Sequence, residues 1–191
     1  MAFDISRYNV KHLWFMGSGL NRYLANFADP TLEHHILEIG SFEGLSACWF
    51  SDVFLTHPSS TLTCVDPFDV SDTCTPVSNE TYEMFVSNLA NTTNKDKCIF
   101  HKTYSDDFFR DNKNTYDIIY IDGSHVPEQI TRDMENAFAV LRPGGIMWMD
   151  DYLGGHGFAI KRTMDAFLAK YTGKYNVLYS DYQLAIQKVL A

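Results

Sequence analysis

No apolar run in this chain approaches the roughly 18 residues that a membrane helix needs, and no cluster of lysine and arginine forms a basic stripe. The first absence argues against a spanning helix. The second, with a formal net charge of −9, argues against nucleic acid as a partner, because phosphate binding needs clustered cations. The cysteines at 48, 64, 74 and 98 include no C-x-x-C pair, so neither a zinc knuckle nor a disulfide framework is implied and free thiols are expected. Low-complexity tracts and internal repeats are also missing. The opening stretch MAFDISRYNVKHLWF carries charge where a secretory signal needs an apolar core. A cytoplasmic protein is therefore expected, with the Asn79 and Asn91 glycosylation-like triplets accidental.

What is present suits one globular domain: 191 residues, 46% hydrophobic and 15% aromatic, enough to bury a core without disulfides. From residue 34 onward, short β-like runs alternate with helical periods, the pattern of a parallel sheet covered by helices. Strands are expected at 35–40, 61–68, 97–103, 116–123 and 145–152, several apolar on both alternations as doubly buried strands are. One helical stripe carries Tyr82, Phe85, Val86 and Leu89, and another carries Ile130, Met134, Ala137, Phe138 and Leu141. Pro127 suits the first turn of the second helix, and Pro143-Gly144-Gly145 is read as its stop. A third stripe holds Ile160, Met164, Phe167 and Tyr171. The final runs YNVLYS and YQLAIQKVL, joined through Asp181, leave no room for a helix and must form an antiparallel hairpin.

Five βα units closed by such a hairpin resemble the class I S-adenosylmethionine-dependent methyltransferases. The resemblance covers roughly residues 33 to 190 and implies an α/β, Rossmann-like, doubly wound seven-stranded sheet, mostly parallel, with helices on both faces. Residues 1–32 then form an N-terminal helical lid ahead of a methyltransferase domain at 33–191.

Ligands of such sheets bind beyond the carboxyl ends of the strands. The first strand ends in LEIGSFEGLS, where Gly40 and Gly44 permit a tight turn and close backbone approach. A dinucleotide loop would want G-x-G-x-x-G, but Phe42 stands at the second glycine, and Glu38 and Glu43 would repel a pyrophosphate. A donor carrying an ammonium and a sulfonium suits the loop better. The resemblance implies that the E-x-G-x-x-x-G loop holds the methionine part of S-adenosylmethionine, through Glu38, Gly40, Ser41, Phe42, Gly44 and Ser46. Asp66, with Pro67 beside it in CVDPF, can accept from ribose hydroxyls, a role shared by NAD and S-adenosylmethionine folds. Tyr104, Ser105 and Asp106 stand where the family flanks the adenine. The plainer readings are a simple turn, a solvated acid and a helix cap.

The fourth strand ends in YIDGSH and the fifth in WMDDY. On neighbouring strands, Asp122, Asp150 and Asp151 converge at one rim, where they would raise one another's pKa unless a cation or a proton lay among them. Hard oxygen ligands point to Mg²⁺. The pattern resembles the metal-dependent O-methyltransferases of the small-molecule and sugar-modifying branch. It implies a metal at Asp122, Asp150 and Asp151 and a small-molecule or glycan acceptor whose hydroxyl is acidified there. His125 is the first choice for general base and His156 the rival, with Asp122 able to serve while touching the metal. A homo-oligomer is compatible with the sequence. Two other readings stay open: metal-independent methylation of a phenolic acceptor with His125 or His156 as base, and a nicotinamide-dependent oxidoreductase or epimerase. The latter lacks its loop glycine and a Tyr-x-x-x-Lys pair. The stretches 69–79, 152–158 and the aromatic N-terminus are expected to wall the acceptor pocket.

Overall fold

The computed structural model describes residues 3–69, 77–154 and 158–190. Seven strands, β1 His35–Ile39, β2 Thr61–Val65, β3 Cys98–His101, β4 Tyr116–Ile121, β5 Leu141–Met149, β6 Tyr175–Ser180 and β7 Leu184–Lys188, form one sheet of order β3-β2-β1-β4-β5-β7-β6. The strands β1 to β5 pair in parallel, and β7 runs antiparallel to both β5 and β6. The chain builds outward from β1 to β3, then returns to β4 on the other side of β1. The crevice beyond β1 and β4 is therefore the switch point at which ligands bind.

Successive residues of each central strand enter opposite cores, which is why these runs are apolar without alternation. Leu37, Ile39, Ile119 and Met147 pack against α5 (Pro127–Val140) and α6 (Phe158–Lys170) through Met134, Phe138 and Phe167. Ile36, Ile118, Tyr120 and Trp148 face α2 (Leu45–Phe54) and α3 (Asn79–Ala90) through Phe50, Phe54 and Phe85. The N-terminal segment joins this second core. Its 3₁₀ turns flank a short α1 (Gly19–Tyr23), and Leu20 and Leu24 are wholly buried. The Gln183 amide oxygen accepts from the Leu20 N–H and the Trp148 indole, each at 2.9 Å, and pins that segment to the sheet.

Several boundaries differ from the sequence reading. Helix α5 stops at Val140 and β5 begins at once on Leu141, opposite Tyr116, so Pro143-Gly144-Gly145 lies inside the strand. There it makes the register shift between Tyr116 and Ile118, with Gly144 at φ +80°. Strand β5 ends at Met149, leaving both aspartates beyond it. Strand β2 ends at Val65, short of Phe68. On α3 the buried stripe is Thr81, Met84, Phe85 and Asn88, and Val86 is exposed, because Asn88 turns inward to serve the site. Among the described residues, no helix is long and apolar enough to cross a membrane.

Candidate active site

One cavity of about 480 Å³ opens at the carboxyl ends of β1, β2, β4 and β5. Gly40 begins its wall at φ +86°. A Cβ there would stand 2.0 Å from the Asp122 carbonyl oxygen, so only glycine lets the loop pass the end of β4. Asp66 shapes the loop from the next strand: its carboxylate accepts from the N–H groups of Ser41 (2.7 Å), Phe42 (3.1 Å) and Phe68 (2.7 Å). Burial raises the Asp66 pKa, and those three donors oppose the rise. Phe42 and Phe68 both hold left-handed φ, as does Asp151. They are the only non-glycine residues to do so among those described; Phe42 and Asp151 line the cavity and Phe68 stands between Pro67 and Asp69, which do, a place where such strain commonly collects.

Glu38 is not on the cavity wall, contrary to expectation. It points to the α2 side, wholly buried, and accepts from Ser41 Oγ at 2.6 Å and Ser46 Oγ at 2.5 Å. Burial pushes its carboxyl up to about 7. The reason is strand alternation: Leu37 and Ile39 face the α5 side, so Glu38 must face α2. It braces the loop's serines from behind. Gly44 caps α2 at φ +85° and Asp106 pairs with Arg132 at 3.1 Å, and neither lines the cavity. Gly40, Ser41, Phe42, Ser46, Asp66, Pro67, Tyr104, Ser105, Asp122, His125, Asp150 and Asp151 all do. His156 lies outside the described residues.

The second acid of the loop, Glu43, serves the N-terminal segment. Its Oε2 accepts from the Lys11 and His12 N–H groups at 2.8 and 3.0 Å, and its Oε1 lies 2.8 Å from His12 Nδ1. Asn88 ties the same pieces together, donating to the carbonyls of Asn9 and Glu43. This strap lays Trp14 over Phe42, with rings 5.6 Å apart and nearly parallel, beside His12. The result is an aromatic wall at the cavity mouth.

The three expected carboxylates do meet at the β4 and β5 ends. Tyr120 Oη lies 2.8 Å from Asp122 Oδ2 and 2.7 Å from Asp150 Oδ2, with one proton to give to the two. Asp122 is accessible from the cavity but ringed by protein; burial and then the charge of Asp150 raise its pKa well above the carboxylate range. Asp150 is raised too, chiefly by burial. Asp151 is engaged differently, its Oδ2 2.8 Å from His125 Nε2 and its Oδ1 accepting from Tyr182 Oη at 2.5 Å. Hence, among the described residues, no three His, Cys, Asp or Glu side chains are arranged as a group that could hold a metal ion. The expected Mg²⁺ centre is not preformed, because His125 and Tyr182 take the Asp151 oxygens.

The sequence reading missed Tyr120, Tyr182, Gln129 and Asp133. The last is a carboxyl 2% exposed on α5 that accepts from Ser105 Oγ at 2.5 Å and Gln129 Nε2 at 3.0 Å. Its signal was faint, an acid next to Met134 on an apolar helical face. Counting it, the described wall holds seven carboxyls (Glu43, Asp66, Asp69, Asp122, Asp133, Asp150 and Asp151) and no lysine or arginine. Such a cavity favours a cationic ligand and disfavours a pyrophosphate.

This sheet order, with an acidic cavity at its switch point, defines a Rossmann-like methyltransferase fold. A family profile described as a methyltransferase domain matches residues 37–152, and the chain belongs to that family. Solved structures agree in fold. The O-methyltransferase TomG from Streptomyces achromogenes, involved in tomaymycin synthesis and solved with SAM, is 18% identical with a TM-score of 0.68, over 90% of this chain and 79% of that one. An O-methyltransferase from Bacillus cereus, solved with SAH, is 15% identical with a TM-score of 0.66, over 95% and 83%. A search of curated protein sequences finds no match.

Proposed function

We propose that the protein is an S-adenosylmethionine-dependent O-methyltransferase that modifies a hydroxyl of a small molecule, with a sugar residue as the first acceptor to try. The observation that carries this reading is the cavity wall of seven carboxyls without a lysine or arginine, set against a Gly40–Phe42 loop at the switch point. A sulfonium with an ammonium finds attraction there; a nicotinamide dinucleotide would meet repulsion. The O-methyltransferases of like fold, solved with SAM and SAH, support the same donor. The sugar preference rests on the likeness of IDGSH and LRPGGIMWMDDY to the sugar-modifying branch.

In this mechanism His125 is the base. Its Nε2–H donates to the Asp151 carboxylate, which leaves Nδ1 as the nitrogen that takes the proton and stabilises the imidazolium so formed. The acceptor oxygen forms its bond to the methyl carbon while the carbon–sulfur pair withdraws to sulfur, turning the sulfonium into a neutral thioether. Tyr182 fixes Asp151, and the strap carrying Trp14 closes the mouth against water. Asp122, Asp150 and Asp151 offer hard oxygen donors of the kind Mg²⁺ takes, and to hold the ion Asp151 would have to release His125 or Tyr182. When bound, the ion would acidify a coordinated hydroxyl.

The test is SAH release and product mass with SAM and a panel of vicinal-diol sugars and catechols. Turnover is expected to fall about 100-fold in His125→Gln. Chelation is expected to lower it about tenfold or more, with Mg²⁺ restoring it in the parent but not in Asp150→Asn. Absence of SAH binding by calorimetry would overturn the donor; full activity in excess chelator would overturn the metal alone.

A further inference from the structure

Tyr182 and Gln183, side by side in the turn between β6 and β7, stand beside the two acids that follow β5. Tyr182 donates to Asp151 through Oη, and its carbonyl accepts from the Leu153 N–H at 3.1 Å. Gln183 belongs to the other face. Trp148 pairs with Ala185 and Met149 with Leu184, so one step further along that antiparallel register Gln183 falls opposite Asp150. Its side chain follows Ala185 and Trp148 onto the α2 side of the sheet, to which Tyr120 also turns. There it is wholly enclosed, with its amide oxygen committed to the Trp148 indole and the Leu20 N–H. That N–H lies in the first turn of α1, where the helix has no carbonyl for it. Among the described residues the amide nitrogen of Gln183 closes no hydrogen bond. An enclosed N–H without an acceptor is costly, and the Asp150 carboxylate is the acceptor the register sets before it. Burial raises the Asp150 pKa, and the Gln183 amide, after Tyr120 and the Asp151 N–H, opposes the rise.

We propose that Gln183 is the positioning residue of Asp150: its amide nitrogen steadies that carboxylate at the end of β5, and its amide oxygen makes the docked N-terminal segment part of the support. The amide has one workable orientation, because turning it over would set its NH₂ against the two N–H groups that Oε1 now receives. The nitrogen is thereby fixed toward Asp150. Shape backs the docking on the other side. A Cβ on Gly19 would stand 2.4 Å from the Tyr179 ring, and Tyr23 packs against Tyr179 and Trp148 with ring centres 5.8 and 6.0 Å away. Asp150 is then held in place for the reacting hydroxyl while Leu20 stays docked. The use of that support in catalysis rests on the methyl-transfer reading; the link from Leu20 through Gln183 to Asp150 does not.

The experiment is hydrogen exchange of the full chain without ligand, read by NMR at the Leu20 amide and the Trp148 indole in the parent, Asp150→Ala and Asp122→Ala. Both acids bond Tyr120, but Asp150 alone stands opposite Gln183. Asp150→Ala is expected to speed exchange at both groups about tenfold, and Asp122→Ala by less than about twofold. Equal rates in the two variants, whether raised or unchanged, would overturn the proposal. Gln183→Met reads the link from its other end and stands in if Asp150→Ala fails to fold. It is expected to lower turnover about tenfold on a vicinal diol that the parent methylates, while SAH affinity by calorimetry stays within about twofold. A loss shared equally by turnover and SAH affinity is what a merely structural residue gives, and would overturn the positioning role. Failure of the parent to bind SAH would defeat the donor reading itself, and the exchange rates would still decide the link between Gln183 and Asp150.

Discussion

At the residue scale, the strictest requirement in the site is at Gly40. An alanine methyl there would need the Asp122 backbone to move by more than an ångström, at a φ of +86° that L side chains rarely adopt. Asp122 is the first residue past β4, so the clash would spread into the carboxylate cluster. Gly40→Ala is expected to abolish SAH binding and to lower the melting temperature by about 8 °C or more, consistent with a cost of at least 2 kcal/mol. Unchanged calorimetry would show that the loop has another route past β4. Gly40, Asp66 and Asp122 were legible in the sequence because each is a strand-end residue whose place follows from the apolar run before it. Tyr120, Tyr182 and Asp133 were not. Their roles depend on which neighbours the fold brings beside them, and in the sequence a tyrosine in YDIIYID or an acid within EQITRDM reads as ordinary core or surface.

Elements tell the same story with a different cause. Parallel strands buried on both faces announce themselves as apolar runs, and the β1 and β4 positions follow from that. The start of β5 does not, since a proline and two glycines read as punctuation and only the pairing of Leu141 with Tyr116 turns them into a bulged strand. The N-terminal strap was legible as an aromatic segment with no place in the sheet, but not as something stitched to the donor loop. Its attachment has one weak point. Glu43→Ala would strip three partners from Lys11 and His12 at once, leaving two backbone donors of the strap without their acceptor. We expect residues 8 to 18 to become about tenfold more sensitive to limited proteolysis, for a local cost of about 1–3 kcal/mol, while the sheet stays protected. Equal protection in parent and variant would mean that Arg7 and Tyr8, bound to Asp52 at 2.7 and 2.5 Å, hold the strap without help from the loop.

For the whole molecule, an acidic cavity carries a consequence for stability without ligand. Glu38 is wholly buried and raised to about 7, and Asp133 to about 6, so between roughly pH 5 and 7 the folded chain holds protons that the unfolded chain has already released. Stability from such groups is present in full below their unfolded pKa values and is lost as pH rises through the folded ones. The window therefore lies between roughly pH 4 and 8. His34 acts in the opposite sense, because burial lowers its pKa and acid then favours the unfolded chain. A bare pH profile mixes the two. Glu38→Gln separates them: its amide stays neutral and can still bond Ser41 and Ser46. Near pH 5 parent and variant should have similar stability, since Glu38 is protonated. By pH 8 the variant should be the more stable by up to about 3 kcal/mol, the free-energy equivalent of the Glu38 shift. Urea unfolding of both proteins without ligand at pH 5, 6.5 and 8 reads this directly. A stability gap that does not widen with pH would mean that Glu38 is ionised throughout and held by more than two serine hydroxyls.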